Sequence, residues 1–162
     1  MVSGRQTLSL CMIVRDEENF LEQCLDSVKD FVDEIVIVDT GSKDKTKEIA
    51  KRFTGKVYDF EWCDDFSKAK NEALKHAAKD WILSLDADET INEGDFEKIR
   101  QAITSDAKAF RLNIVNLTKK GNKVFKLIRL FRNNEGFCFK NRVHELVDDS
   151  VTEKGFEIKG LL

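Results

Sequence analysis

The chain has 162 residues, 41% of them hydrophobic and 35% charged, with a formal net charge of −3. That length suffices for one domain with a real core, and the interspersed charges exclude the basic excess that non-specific nucleic-acid binding requires. No apolar run approaches the ~20 residues of a membrane span, and the amino terminus lacks the basic-then-apolar pattern of a signal peptide. The expectation is a soluble, cytoplasmic protein with at most a peripheral contact at the inner face of a membrane. Four cysteines, Cys11, Cys24, Cys63 and Cys138, are scattered without a CxxC pair. Such spacing suits reduced thiols better than a zinc site or a disulfide framework.

"TLSLCMIV" (Thr7 to Val14) is a near-continuous apolar run and reads as a strand buried on both faces. After the acidic "RDEENF", Phe20, Leu21, Cys24, Leu25 and Val28 recur at helical spacing over residues 19–31. Ile35 to Val38 predicts a second buried strand, ending at Asp39. A turn over Thr40 to Asp44 follows, then a helix over "KTKEIAKRF". "KVYDF" is a short third strand, "DDFSKAKNEALKHAAKD" a helix, "WILSL" a fourth strand, and "GDFEKIRQAI" a further amphipathic helix.

This alternation over the first ~105 residues predicts a parallel sheet covered on both faces. Ligands of such sheets bind outside the carboxyl ends of the strands. Three polar sets fall on that edge: Arg15 and Asp16, Asp39 to Ser42, and Asp86 to Glu89. Beyond Asp106, two strand-like runs flank "KKGNK", a hairpin signal. "GFCFKNRVHELV" also reads as strand-like, and the chain stops on "FEIKGLL" without a stop signal, as a fragment of a longer protein would.

Three carboxylates, Asp86, Asp88 and Glu89, directly follow the apolar "WILSL". Like charges so crowded cost free energy unless something positive sits among them. Asp86 and Asp88 suit Mg²⁺ or Mn²⁺ bridging to a diphosphate; the alternative is an acidic loop capping the next helix. Asp39 can accept a hydrogen bond from a base N–H or a sugar hydroxyl. Gly41 permits close backbone approach, and Ser42 either caps the following helix or meets the ligand. Lys68, Lys70 and Asn71 begin the third helix, where a lysine either is solvated or pairs with phosphate or Asp86. One of Arg129 and Arg132 could reach phosphate. Glu145 offers a general base, and His144 a base or a third metal ligand, the alternative being a structural pair.

"LSLCMIVRDEENFLEQCLDSV", "DEIVIVDTGSKDKT", "FSKAKNEAL" and "WILSLDADE" occur in this order. Together they resemble the family 2 glycosyltransferases of the GT-A fold. The later "LIRLFRN" and "RVHE" are similar to a bacterial branch of cell-envelope enzymes. That branch includes lipopolysaccharide core β-glucosyltransferases and peptide S-glycosyltransferases. The resemblance implies an α/β GT-A fold, a mainly parallel twisted sheet with helices on both faces and an antiparallel hairpin in the C-terminal part. One domain would span residues 1–162, with a nucleotide-sugar-binding half at 7–105 and an acceptor-side half at 106–162.

It further implies an inverting, metal-dependent transfer from a nucleotide diphosphate, usually UDP, to a saccharide, lipid-linked or peptide acceptor. Asp39 corresponds to the nucleoside-binding carboxylate, Asp86 to the carboxylate near the ribose and metal, and Asp88 to the direct Mn²⁺ or Mg²⁺ ligand. Arg15, Glu17, Gly41, Ser42 and Lys70 complete the donor side. Glu89 and Arg132 are expected toward the acceptor, and His144 or Glu145 at the chemistry. Thr40 stands where many members carry a second aspartate, and the usual acceptor-side "ED" pair is not evident. The alternative reading is a non-catalytic nucleotide-sugar-binding module of a larger protein.

Overall fold

The computed structural model describes residues 4–161. The elements in chain order are β1 (Leu8–Val14), α1 (Leu21–Asp26), β2 (Glu34–Asp39), α2 (Thr46–Phe53), β3 (Val57–Asp59) and α3 (Phe66–His76). They continue with β4 (Trp81–Ser84), α4 (Phe96–Ile103), β5 (Ala109–Asn116), β6 (Lys123–Arg132), α5 (Asp148–Glu153) and β7 (Ile158–Gly160). All seven strands join one sheet in the order β3-β2-β1-β4-β6-β5-β7, so a single sheet spans both expected halves.

β1 pairs in parallel with β2 and β4, and β2 with β3. β6 runs antiparallel to both β4 and β5. Alternation along β1 explains the layers. Leu8, Leu10 and Met12 face a core shared with α1, α2 and α4, through Leu21, Leu25, Ile49 and Ile99. Cys11 faces the opposite core, shared with α3 and α5 through Ala73 and Val151. The order builds outward from β1 through β2 to β3, then returns on α3 to place β4 on the other side of β1. The switch point, where a ligand crevice opens, therefore lies at the carboxyl ends of β1 and β4.

The structure departs from the sequence reading in three places. The first helix is short: after Asp26, the Ser27 hydroxyl donates to the carbonyl of Cys24 (2.6 Å), and the chain proceeds through turns to Phe31. The segment expected as a strand over residues 136–147 is irregular, with one isolated bridge between Lys140 and Leu146. Positive φ at Gly136, Asn141 and His144 breaks any strand there, while Phe137 and Phe139 pack edge-on against Phe131. The following α5 has no counterpart in that reading, and the terminal strand β7 pairs in parallel with β5.

Candidate functional site

The turn after β2 is built around Asp39. Its Oδ1 accepts from the backbone amides of Gly41 and Ser42, each at 2.9 Å. Gly41 has φ +105°, a conformation that disfavours a side chain. Asp39 Oδ2 is buried without a partner among the described residues, the arrangement of a carboxylate oxygen lacking its donor.

Ser42 does not cap α2, which has no side-chain cap. Its hydroxyl instead accepts from the Asp16 amide (3.0 Å), and Asp16 Oδ1 accepts from the Lys43 amide (2.7 Å). Thr46 Oγ1 accepts from the Glu17 amide (2.6 Å) and Asp44 from the Glu18 amide (3.1 Å). The loops after β1 and β2 are thus stitched into one wall. Arg15 projects from it, exposed. The Glu17 carboxyl is held above its ordinary range, by burial first and then by the negative charges of Asp88, Asp44, Asp86 and Asp16.

The turn after β4 carries the densest electrostatics. Lys70, buried one turn into α3, donates to Asp86 Oδ1 at 3.1 Å and approaches Glu145 Oε1 at 2.8 Å. From the other side, Arg129 Nη2 donates to Asp86 Oδ2 (2.7 Å) and Glu89 Oε1 (2.6 Å). Glu89 Oε2 accepts from the Asp86 amide at 2.9 Å and closes the turn. Burial pushes the Asp86 carboxyl up, but the charges and hydrogen bonds of Arg129 and Lys70 outweigh it and hold the group down at about 2. Glu89 stays above its ordinary range because burial outweighs the attraction of Arg129. Beneath the turn, burial pushes the Cys24 thiol up to about 12, with Glu89, Asp88 and Asp86 adding to the effect. The thiol is therefore protonated and unreactive.

The clustering separates residues that the sequence treated together. Both Asp86 oxygens are engaged by cationic side chains, so Asp88, exposed and without a side-chain hydrogen bond among the described residues, is the carboxylate with free oxygens. Glu89 bonds Arg129 and the Asp86 amide, and it also lines the larger cavity. Arg132 is a correction. Its register partner is Trp81, at the amino end of β4. There it binds Gln6 (3.0 Å) and the Ser105 carbonyl (3.2 Å) and covers the Trp81 ring, at the sheet edge opposite the site.

Arg129 is brought to this turn by a feature that strand alternation hides. β5 and β6 slip register between Phe110 and Arg111, which pair with Leu130 and Ile128, leaving Arg129 unpaired in a bulge. Bulges re-aim side chains in this way beside sites. Asn71 serves the scaffold, bracketing Phe139 by accepting from its amide (2.7 Å) and donating to its carbonyl (2.9 Å).

Two cavities flank the Asp86–Asp88 turn. One of about 530 Å³ is lined by Phe66, Lys70, Asp86, Arg129, His144 and Glu145. His144 stands at its exposed side with φ +56°, whereas the Glu145 side chain is only 15% accessible. The other, of about 840 Å³, runs between Asp88, Glu89 and Asp95 and the inner side of the β5–β6 ribbon.

The family model described as "Glycosyl transferase family 2" matches residues 9–155. A TPR repeat-containing protein of Synechococcus elongatus is 45% identical over 146 residues, covering 89% of this chain and 36% of that protein. The SPbeta prophage-derived glycosyltransferase SunS of Bacillus subtilis is 30% identical over 148 residues, covering 88% and 35%. The chain thus spans little over a third of the length of these curated relatives. Among solved structures, S. aureus TarS 1–349 superposes with a TM-score of 0.69 at 19% identity, over 96% of this chain and 58% of that one. Glucosyl-3-phosphoglycerate synthase from Mycobacterium tuberculosis, in complex with Mn²⁺ and UDP-glucose, superposes at 0.55 and 20% identity over 65% and 43%. At these identities the likeness to solved structures is one of fold.

Proposed function

Because the chain belongs to glycosyl transferase family 2, we propose that it moves a sugar from a nucleotide diphosphate, UDP first among candidates, to a saccharide, lipid-linked or peptide acceptor, with inversion. The UDP-GlcNAc complex of TarS and the UDP-glucose complex of the mycobacterial synthase favour that nucleotide. This reading rests on the turn after β4. Asp86 is anchored from both sides by Lys70 and Arg129, which presents the exposed Asp88 at the switch point.

Residues 7–105 would hold the donor. Asp39 would accept an N–H or hydroxyl of the nucleoside through Oδ2, after a small shift of the surrounding turn admits it. Arg15, Glu17, Gly41 and Ser42 would border the nucleotide. Magnesium and manganese are commonly held by one or two carboxylates together with substrate phosphates. Among the described residues, no group of three or more His, Cys, Asp or Glu side chains is arranged to hold a metal unaided. The donor set therefore fits an ion shared with a diphosphate, with Asp88 as ligand and Asp86 holding the turn. The surplus negative charge that raises Glu17 also favours a cation there. When bound, such an ion would neutralise charge on the departing diphosphate.

Residues 106–162 would serve the acceptor. Glu145, aimed into the smaller cavity by Lys70, would take the proton from an acceptor hydroxyl or thiol. The acceptor oxygen or sulfur bonds to the anomeric carbon as the carbon–diphosphate oxygen bond breaks on the opposite face. His144, at the rim of the same cavity, would contact the acceptor.

The test is a thermal-shift series with UDP and UDP-sugars, with and without Mn²⁺, followed by release of UDP from the donor. Binding raises the melting temperature by mass action. Slow donor hydrolysis that disappears in Asp88→Ala supports the enzyme. Binding without hydrolysis or transfer supports a nucleotide-sugar-binding module instead, and no shift with any nucleotide removes the donor site altogether.

A further inference from the structure

We propose that the outer half of the β5–β6 ribbon is a docking element for an anionic lipid bilayer. Val115, Leu117 and Phe125 also line the larger cavity beside Asp88; what points to a surface partner is how little supports the outer ribbon. β6 contacts β4 only over Leu130–Arg132, and β5 contacts β7 only over Ala109–Arg111. From the Leu112–Leu127 pair outward, the two strands have no third strand beside them among the described residues. They project past the carboxyl end of β4, because Leu83 is level with Leu130 and β6 starts at Lys123. An isolated two-stranded ribbon is marginal in water.

The ribbon is also apolar where it is unsupported. Leu117 is 76% exposed, Val124 57%, and Val115 and Phe125 50% each. Val115 and Val124 pair on one face, and Phe125 pairs with Ile114 on the other. Apolar side chains at a ribbon tip, on both of its faces, form a wedge that water solvates poorly.

Charge complementarity selects the occupant. Lys119, Lys120, Lys123 and Lys126 ring the wedge, all exposed, and none pairs with a carboxylate among the described residues. Between Asp106 and Glu135 the chain has no acidic residue at all, although its net charge is −3. The ribbon is thus a local positive pole on an acidic protein. A second copy docking ribbon to ribbon would set lysine against lysine. A bilayer with anionic headgroups matches both features: the apolar tip enters the headgroup–acyl boundary while the lysines stay level with the phosphates. No helix among the described residues is long and apolar enough to cross a membrane; the contact proposed is one the ribbon makes at the surface. Because the ribbon rises from the carboxyl edge, docking would hold the mouth of the site close to the lipid surface.

The test is co-sedimentation of the full chain with vesicles of phosphatidylglycerol and phosphatidylcholine, against pure phosphatidylcholine vesicles. Binding is expected to the anionic vesicles alone and to weaken as salt rises. Each Lys→Gln change at 119, 120, 123 or 126 should weaken it by about fivefold. Val124→Ser, at an exposed position outside the cavity beside Asp88, should weaken it at constant charge. Donor-nucleotide thermal shifts should not change in these variants, which also reports that they fold. Hydrogen exchange of the unaltered chain on vesicles should protect residues 113–126. The proposal is overturned by equal binding to neutral vesicles, by no binding at low salt, or by protection confined to another surface. It is equally overturned by a concentration-dependent dimer that Leu117→Asp dissociates, which would make a second copy the occupant.

Discussion

Arg129 and Asp86 meet at 2.7 Å across 43 residues of chain, and the pair fixes the turn after β4. Arg129 is almost wholly buried, its other contact is Glu89, and its Nε has no partner. Removing the guanidinium leaves Glu89 Oε1 and Asp86 Oδ2 without their cation, while Lys70 still holds Asp86 Oδ1. Arg129→Met should therefore cost about 2 kcal/mol of stability, less than breaking a fully buried pair, because the Asp86 side chain is 44% exposed and keeps Lys70. It should also lower Mn²⁺-dependent UDP binding, because Asp88 rides on the turn. Chemical denaturation measures the first effect and calorimetry the second. A loss below ~1 kcal/mol would mean that Glu89 and Asp86 find other partners and that the turn does not depend on Arg129.

Acid should act in two stages. Glu17 and Glu89 have folded-state values above the ordinary carboxylate range. As pH falls toward that range, the folded protein takes up their protons before the unfolded chain does, and stability rises. Asp86 has the opposite sign: its value falls from 3.8 in the unfolded reference to about 2 in the fold. Its contribution is fully present above about pH 4 and is lost as pH falls through 2. Stability is thus expected to peak on the mildly acidic side and to fall steeply below pH 4. Asp86→Asn should flatten that lower limb and also shrink the upper rise, because the Asp86 charge helps to hold Glu17 and Glu89 up. Melting temperatures taken at half-unit pH steps provide the curve, and an unchanged lower limb in Asp86→Asn would rule out Asp86 as its source.

The sequence made part of this site legible for a simple reason. Asp39 and Asp86 each directly follow a buried apolar run, and in a parallel sheet that position is the ligand edge. Lys70 was within reach because it lies one turn into the helix that precedes β4. What stayed hidden depends on register and on tertiary contacts. Arg129 and Arg132 look alike in an alternating strand, but the bulge opposite Phe110 and Arg111 turns one into the site, and pairing with Trp81 carries the other to the far edge. The stitching of Asp16 to Ser42 and of Glu17 to Thr46 joins separate loops, which no local pattern reveals. α5 was masked by the aromatic run before it, whose side chains fill a core in irregular backbone rather than in a strand.

Asp39 offers a substitution that separates folding from recognition. In Asp39→Asn, the remaining side-chain oxygen can still accept from the amides of Gly41 and Ser42. The buried Oδ2, which has no partner, becomes an NH₂ donor. A ligand N–H then meets a donor instead of an acceptor, and both groups lose a hydrogen bond. UDP affinity should fall by about 10- to 100-fold, matching the ~1–3 kcal/mol cost of an unsatisfied buried polar group. The melting temperature without ligand should stay close to that of the unaltered protein. Calorimetric titration with UDP decides, and full affinity in the variant would place the nucleoside elsewhere.

Glu145 and His144 are adjacent in sequence but differ in setting. Glu145 lies 2.8 Å from Lys70 and is mostly shielded, whereas His144 is exposed and has no side-chain hydrogen bond among the described residues. If Glu145 takes the acceptor proton, Glu145→Gln removes the base while keeping shape and hydrogen-bonding capacity. Transfer should then drop by roughly 10²- to 10⁴-fold with donor binding nearly intact. His144→Ala should raise the acceptor KM more than it lowers kcat, as expected for a contact at the cavity rim. Steady-state transfer assays with varied acceptor distinguish the two. The reverse pattern, a collapse of kcat in His144→Ala with Glu145→Gln near full activity, would move the proton transfer to the imidazole and leave Glu145 as the residue that positions Lys70.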